Sequence, residues 1–89
     1  MLGRSAECEA VLARYGLAKC PMTIIGADKQ VAPPMWGVTI ICGVGRSEFL
    51  DLIQAGKLAD ELWRIREEGL AKRLDSAVEA AKRRIPPGD

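Results

Sequence analysis

The chain contains no histidine, and that absence narrows its chemistry further than any residue it does contain. Without imidazole there is no ordinary general base near neutral pH and no Cys-His or Ser-His nucleophile arrangement. Three cysteines, Cys8, Cys20 and Cys42, form no Cys-x-x-Cys pair, and with no histidine to complete a tetrahedral set they predict no metal site. They read instead as buried thiols in a reducing compartment. Aromatic residues are scarce, two Trp, one Tyr and one Phe, too few for a base-stacking platform. No apolar run approaches the ~18 residues that a membrane span requires. Glu7, Glu9 and Arg14 interrupt the apolar centre that a secretory signal would need, so a cytoplasmic location is expected. Gly43-Val44-Gly45 lacks the further glycine of a phosphate-binding loop. Nothing places two carboxylates or lysines in one apolar pocket. Neither an enzyme nor a cofactor is expected.

What is present is an ordinary globular composition, 48% hydrophobic and 28% charged over 89 residues, with no internal repeat and no low-complexity segment. A single small domain follows, able to bury only ~60% of its unfolded surface. Ser5 to Tyr15 reads as a short amphipathic helix, capped by Ser5, carrying Glu7 and Glu9 in its first turns, and ended by Gly16. Met22 to Ile25 and Gln30 to Ala32 flank the turn-prone tetrad Gly26-Ala27-Asp28-Lys29, which predicts a small hairpin, and Pro33-Pro34 stops it. Trp36 to Cys42 carries a β-branched run, Val38 to Ile41, and is either a third strand or a short buried helix. Pro86-Pro87 reads as the end of the fold.

The stretch GVGRSEFLDLIQAGKL, Gly43 to Leu58, is the most informative. A glycine-bearing turn leads to Ser47, whose hydroxyl can cap a new helix. Phe49, Leu50, Leu52 and Ile53 then recur at helical spacing until Gly56 offers a left-handed stop. Together with WRIREEGLAKRL, Trp63 to Leu74, these residues resemble the recognition helix, wing and following helix of excisionase or MerR-like helix-turn-helix domains, over Met35 to Ala77. The resemblance implies a mainly α fold with a small β-hairpin, a helix-turn-helix core in residues 35–58 and a C-terminal helix over residues 59–85, following an N-terminal helix and hairpin in residues 1–34. The alternative is an α+β fold with a small antiparallel sheet. The resemblance also implies a DNA-binding regulator or excisionase-like factor of a phage or mobile element. Double-stranded DNA would be read by Arg46, Ser47, Glu48, Asp51, Gln54 and Lys57, with Arg64 and Arg66 on the backbone.

Charge leads toward a second function class. From Arg46 onward nine basic residues face nine acidic ones, whereas a DNA-binding surface is usually visibly basic. A neutral chain of this size equally predicts an adaptor or inhibitor that binds a host protein. Leu58, Leu62, Ile65, Leu74 and Val78 fall at three- and four-residue steps, and Trp63 and Leu70 widen that stripe. These seven residues form the expected protein interface, and part of the stripe is expected to bury against a second copy as a homodimer.

Overall fold

The computed structural model describes residues 5–85; Pro86-Pro87 lies outside them. Helix α1 covers Ala6–Ala13, with the Ser5 hydroxyl accepting the Cys8 amide at 3.1 Å as its N-cap. Gly16, at φ +77°, closes it: the Gly16 amide donates to the Ala13 carbonyl and the Leu17 amide to the Leu12 carbonyl, the paired bonds of a Schellman ending. The chain then drops Leu17, Cys20 and Met22 into the core and enters three consecutive antiparallel strands. These are β1 (Ile24–Gln30), β2 (Met35–Gly43) and β3 (Arg46–Asp51), in the order β1-β2-β3. Helices α2 (Leu52–Arg64) and α3 (Glu68–Arg84) follow.

This α+β arrangement overturns the mainly α expectation. Met35–Gly43, the would-be first helix of a helix-turn-helix, is the central strand, because its β-branched run fits a pleated surface on both sides. Arg46–Asp51, the would-be recognition helix, is the strand that pairs with it. The glycine turn at 43–45 is therefore a hairpin, with Gly45 at φ +75°. The first hairpin also differs from expectation. Gly26 to Lys29 lie inside β1, paired with Thr39 to Trp36, and the reversal comes at residues 31–34.

Strand alternation separates the two faces of the sheet. Val38, Ile40, Cys42 and Leu50 are buried toward the helices, while Ile24, Met35, Ile41 and Phe49 point the other way. Helix α3 lies across β1 and β2, and α2 across β2 and β3. Leu58, Leu62 and Leu74 are fully buried between helices and sheet, with Val78 nearly so. The stripe expected to dimerise is thus consumed by the chain's own core. Cys20 and Cys42 are joined as a disulfide with Cα atoms 4.7 Å apart, which corrects the reading of all three cysteines as thiols; Cys8 is buried outside that bridge. No helix among the described residues is long and apolar enough to cross a membrane.

The start of α2 explains why a helix was legible here at all. Asp51 is its N-cap: the Asp51 carboxylate accepts the Gln54 amide at 2.8 Å, and the Gln54 side chain accepts the Asp51 amide at 3.2 Å. This capping box places the helix start four residues after Ser47. Gly56 sits within α2 and Gly69 within α3, so neither ends a helix. The break between α2 and α3 falls at Arg66, φ +64°, where the Arg66 amide donates to the Trp63 carbonyl and the Glu67 amide to the Leu62 carbonyl. Arg66 occupies the left-handed position that glycine usually fills.

Candidate interaction surface

The eight residues assigned to DNA do not share a surface. Arg46 and Glu48 face the helix side of β3, whereas Ser47 and Asp51 face the open side. The Arg46 guanidinium donates to the carbonyls of Ala18 and Gly16, both at 3.0 Å, tying the loop after α1 to β3. Asp51 and Gln54 are spent on each other in the capping box, and Arg66 forms the helix break. Lys57 and Arg64 lie together, around a shallow depression shared with Tyr15, Asp60 and Glu61. Of the seven interface residues, Leu58, Leu62, Leu74 and Val78 are core. Ile65 and Leu70 are half-buried against it, and Trp63 is partly exposed, its indole donating to Asp75 at 2.8 Å.

At the depression, Glu61 accepts the Tyr15 hydroxyl at 2.6 Å and is also bridged by the Arg14 guanidinium, so that one carboxylate holds α1 on α2. Burial, then the bond to ionised Glu61, pushes the Tyr15 phenol up to about 12. The phenol bond, then Arg14, holds Glu61 below the usual carboxylate range against the opposing effect of burial. The pair is a neutral donor on a fixed anion, a clamp rather than an acid–base couple poised near pH 7. Because the folded phenol titrates above its ordinary 10, the stability it carries is intact below pH 10 and is lost as pH rises from 10 toward 12. Absorbance titration of the phenolate should show a midpoint about two pH units above that of free tyrosine, returning toward 10 in Glu61→Gln. An unshifted wild-type midpoint would contradict the clamp.

The β1 side of the molecule is built differently. β1 is an edge strand, paired only to β2 among the described residues. On its helix side, Ile25, Gly26 and Ala27 form one wall of a groove of about 400 Å³, and Ser76, Ala77 and Ala80 of α3 form the other, with Lys72 and Arg73 at the rim. These α3 residues are small, so they put little side-chain bulk into the space beside the strand and leave the groove open. On its other side lies the open sheet face, where Ile24 is 54% exposed and Met35 37%, with Ile41 and Phe49 half-buried between them. Among the described strand residues, that face carries Asp28 and Asp51 and no basic residue. The Thr39 hydroxyl donates to Asp28 at 2.7 Å, and that bond, followed by the Lys29 amide, holds the Asp28 carboxyl below its usual range.

The open face also shows why Gly37 is glycine. The Phe49 ring crosses diagonally from β3 onto Gly37, so a Cβ there would sit 2.6 Å from the ring's Cζ and closer still to the Leu50 carbonyl oxygen. An aromatic shielding a strand glycine keeps the sheet paired where no side chain can pack. Ile25, Ala27, Ser76, Ala77 and Ala80 were not among the residues singled out from sequence. The signal that would have found them is the run of small residues on one face of α3 opposite an edge strand. Comparison with family models, with curated proteins and with solved structures finds no match.

Proposed function

We propose that this chain is a small protein-binding module, an adaptor or inhibitor, that engages its partner from the β1 side. The observation that carries this reading is a strand edge left unpaired among the described residues and bordered by apolar surface on both sides, with Ile24 and Met35 exposed on one and the β1–α3 groove on the other. Surfaces of this kind recognise protein, through main-chain hydrogen bonds along the edge and side-chain contacts beside it.

DNA is disfavoured by the same geometry. The segment assigned to the major groove is a strand whose alternate side chains point to opposite faces, and Arg46 is already engaged with two carbonyls. The open sheet face would present two carboxylates and no cation to phosphate. The Cys20–Cys42 bridge supports action in an oxidising environment over the cytoplasmic location read from the sequence.

The test is a pair of measurements with the full chain. In a gel-shift with non-specific duplex at low salt, where even a weak DNA binder retains duplex, no shift is expected. Affinity capture followed by titration of the purified partner should give binding that changes little on a several-fold rise in salt and that weakens at least tenfold in Ile24→Asp. A salt-sensitive duplex shift without a protein partner would restore the DNA reading.

A further inference from the structure

The groove beside β1 has the dimensions and chemistry of a slot for one more strand, and we infer that its occupant is an extended, acidic segment of a partner protein that pairs with the free edge of β1. This rests on the protein-binding reading above and names its mode.

Two contacts establish which β1 backbone groups face outward. Just before β1, the Thr23 amide donates to the Ile41 carbonyl at 3.0 Å, so Ile41 turns its backbone toward β1 and its register partner Ile24 turns toward β2; at the other end of the strand the Lys29 amide donates to the Asp28 carboxylate at 2.8 Å. In an antiparallel pair, residues alternate between bonding the partner strand and pointing away from it. Ile24 faces β2 and the Lys29 amide does not, so the amides and carbonyls of Ile25 and Ala27, at the alternate positions between them, point to the free edge. The side chains of the same two residues form a wall of the groove. Backbone bonding capacity and side-chain space therefore coincide, which is the arrangement strand addition uses: main-chain bonds supply affinity while every second side chain of the incoming segment enters a pocket.

Charge specifies the occupant further. The groove is lined mainly by apolar surface, and among the described residues its charged lining is Lys72 and Arg73, at the end where Arg73 reaches Thr23. Arg84, 5.7 Å from the Trp36 ring, and Lys29, which is paired with Trp36, supply positive charge at the other end. The acidic side chains adjoining the groove residues in sequence are engaged elsewhere: Asp28 projects onto the opposite face and accepts the Thr39 hydroxyl, Asp75 accepts the Trp63 indole at 2.8 Å, and Glu79 pairs with Lys82 at 3.5 Å. A segment entering this slot meets cations at both ends and hydrocarbon between them. An acidic, β-prone sequence about as long as β1 complements it, and a basic one is repelled.

The experiment is selection of a displayed random heptapeptide library against the full-length oxidised protein, with affinities of recovered peptides measured by fluorescence polarisation. Recovered peptides are expected to be rich in Val, Ile and Thr with Asp or Glu near an end. Lys72→Glu should weaken them at least tenfold, and Ser76→Trp, at an exposed position that lines the groove, should abolish binding while leaving the thermal unfolding midpoint close to that of the parent. N-methylation of alternate peptide amides should abolish binding in one register and spare it in the other. Failure to recover any peptide, or recovery of peptides indifferent to both variants and to N-methylation, would overturn the groove. In that event, a captured protein partner sensitive to Ile24→Asp would show that the protein-binding reading stands without it, whereas duplex binding with no partner would remove both.

Discussion

Replacing Cys20 and Cys42 together by alanine is expected to lower stability by roughly 3 kcal/mol, the closure entropy of a loop of this length, and the unfolding midpoint by about 10–20 °C. The loop in question spans a sequence separation of 22 and contains all of β1 and most of β2, together with the hairpin turn between them. Without the bridge that hairpin must be ordered by packing alone, in a chain with a small core. Both cysteines are buried, so a mild reductant added to the folded protein should act slowly, and the full loss should appear only when reductant is present during unfolding. Differential scanning calorimetry of the variant and of the oxidised and reduced parent measures this. Coincident midpoints in all three would mean that the hairpin does not depend on the bridge.

Gly37→Ala is expected to cost about 1–3 kcal/mol, although it adds a single methyl group. The methyl would press on the Phe49 ring and on the Leu50 carbonyl oxygen, and only the ring can move aside. Backbone must then shift, and the pairing of Gly37 with Asp51 shifts with it, next to the cap of α2. Phe49→Ala in the same chain should recover little of the loss, because the carbonyl contact remains. Chemical denaturation of the two single variants and the double gives the coupling directly. A Gly37→Ala variant as stable as the parent would show that β2 and β3 are not packed as described.

How much of this was legible in the sequence depended on whether the decisive contact was local. Ser5 and Gly16 act within one turn of α1, and both positions read correctly. The run Val38 to Ile41 announced a strand, but for so short an apolar segment only its neighbours could decide between strand and helix. Those neighbours are distant in sequence: Ile25 lies opposite Ile40, 15 residues away, and Leu50 opposite Val38, 12 residues away. Phe49, Leu50, Leu52 and Ile53 mimicked a helical stripe because they straddle a strand–helix junction. Phe49 lies on one face of the sheet, Leu50 on the other, and Leu52 and Ile53 begin α2. The signature that marks the junction, Asp51 followed at three residues by Gln54, was in plain view, but both residues had been assigned to base contacts.

The helix endings misled in the opposite sense. Gly56 looks like a stop and is helical, while Arg66 adopts the left-handed turn with no sequence mark. The apolar faces of α2 and α3 bury enough surface elsewhere along each helix to override a glycine penalty of about 1 kcal/mol. The site was less legible than the fold. Tyr15 and Glu61 are 46 residues apart, and Ile25 and Ala77 belong to elements that only the tertiary structure brings together. Charge balance, a global property, pointed toward a protein partner without locating its surface, and the apolar stripe taken for that surface is mostly core.

The most direct test of that central claim is amide chemical-shift mapping of the isotope-labelled protein titrated with its captured partner. The account predicts that the largest shifts fall on Ile24 to Gln30 and on residues 72–80, on either side of the β1 edge. Shifts concentrated on Arg46 to Gln54 and on Arg64 to Arg66, with β1 silent, would contradict it.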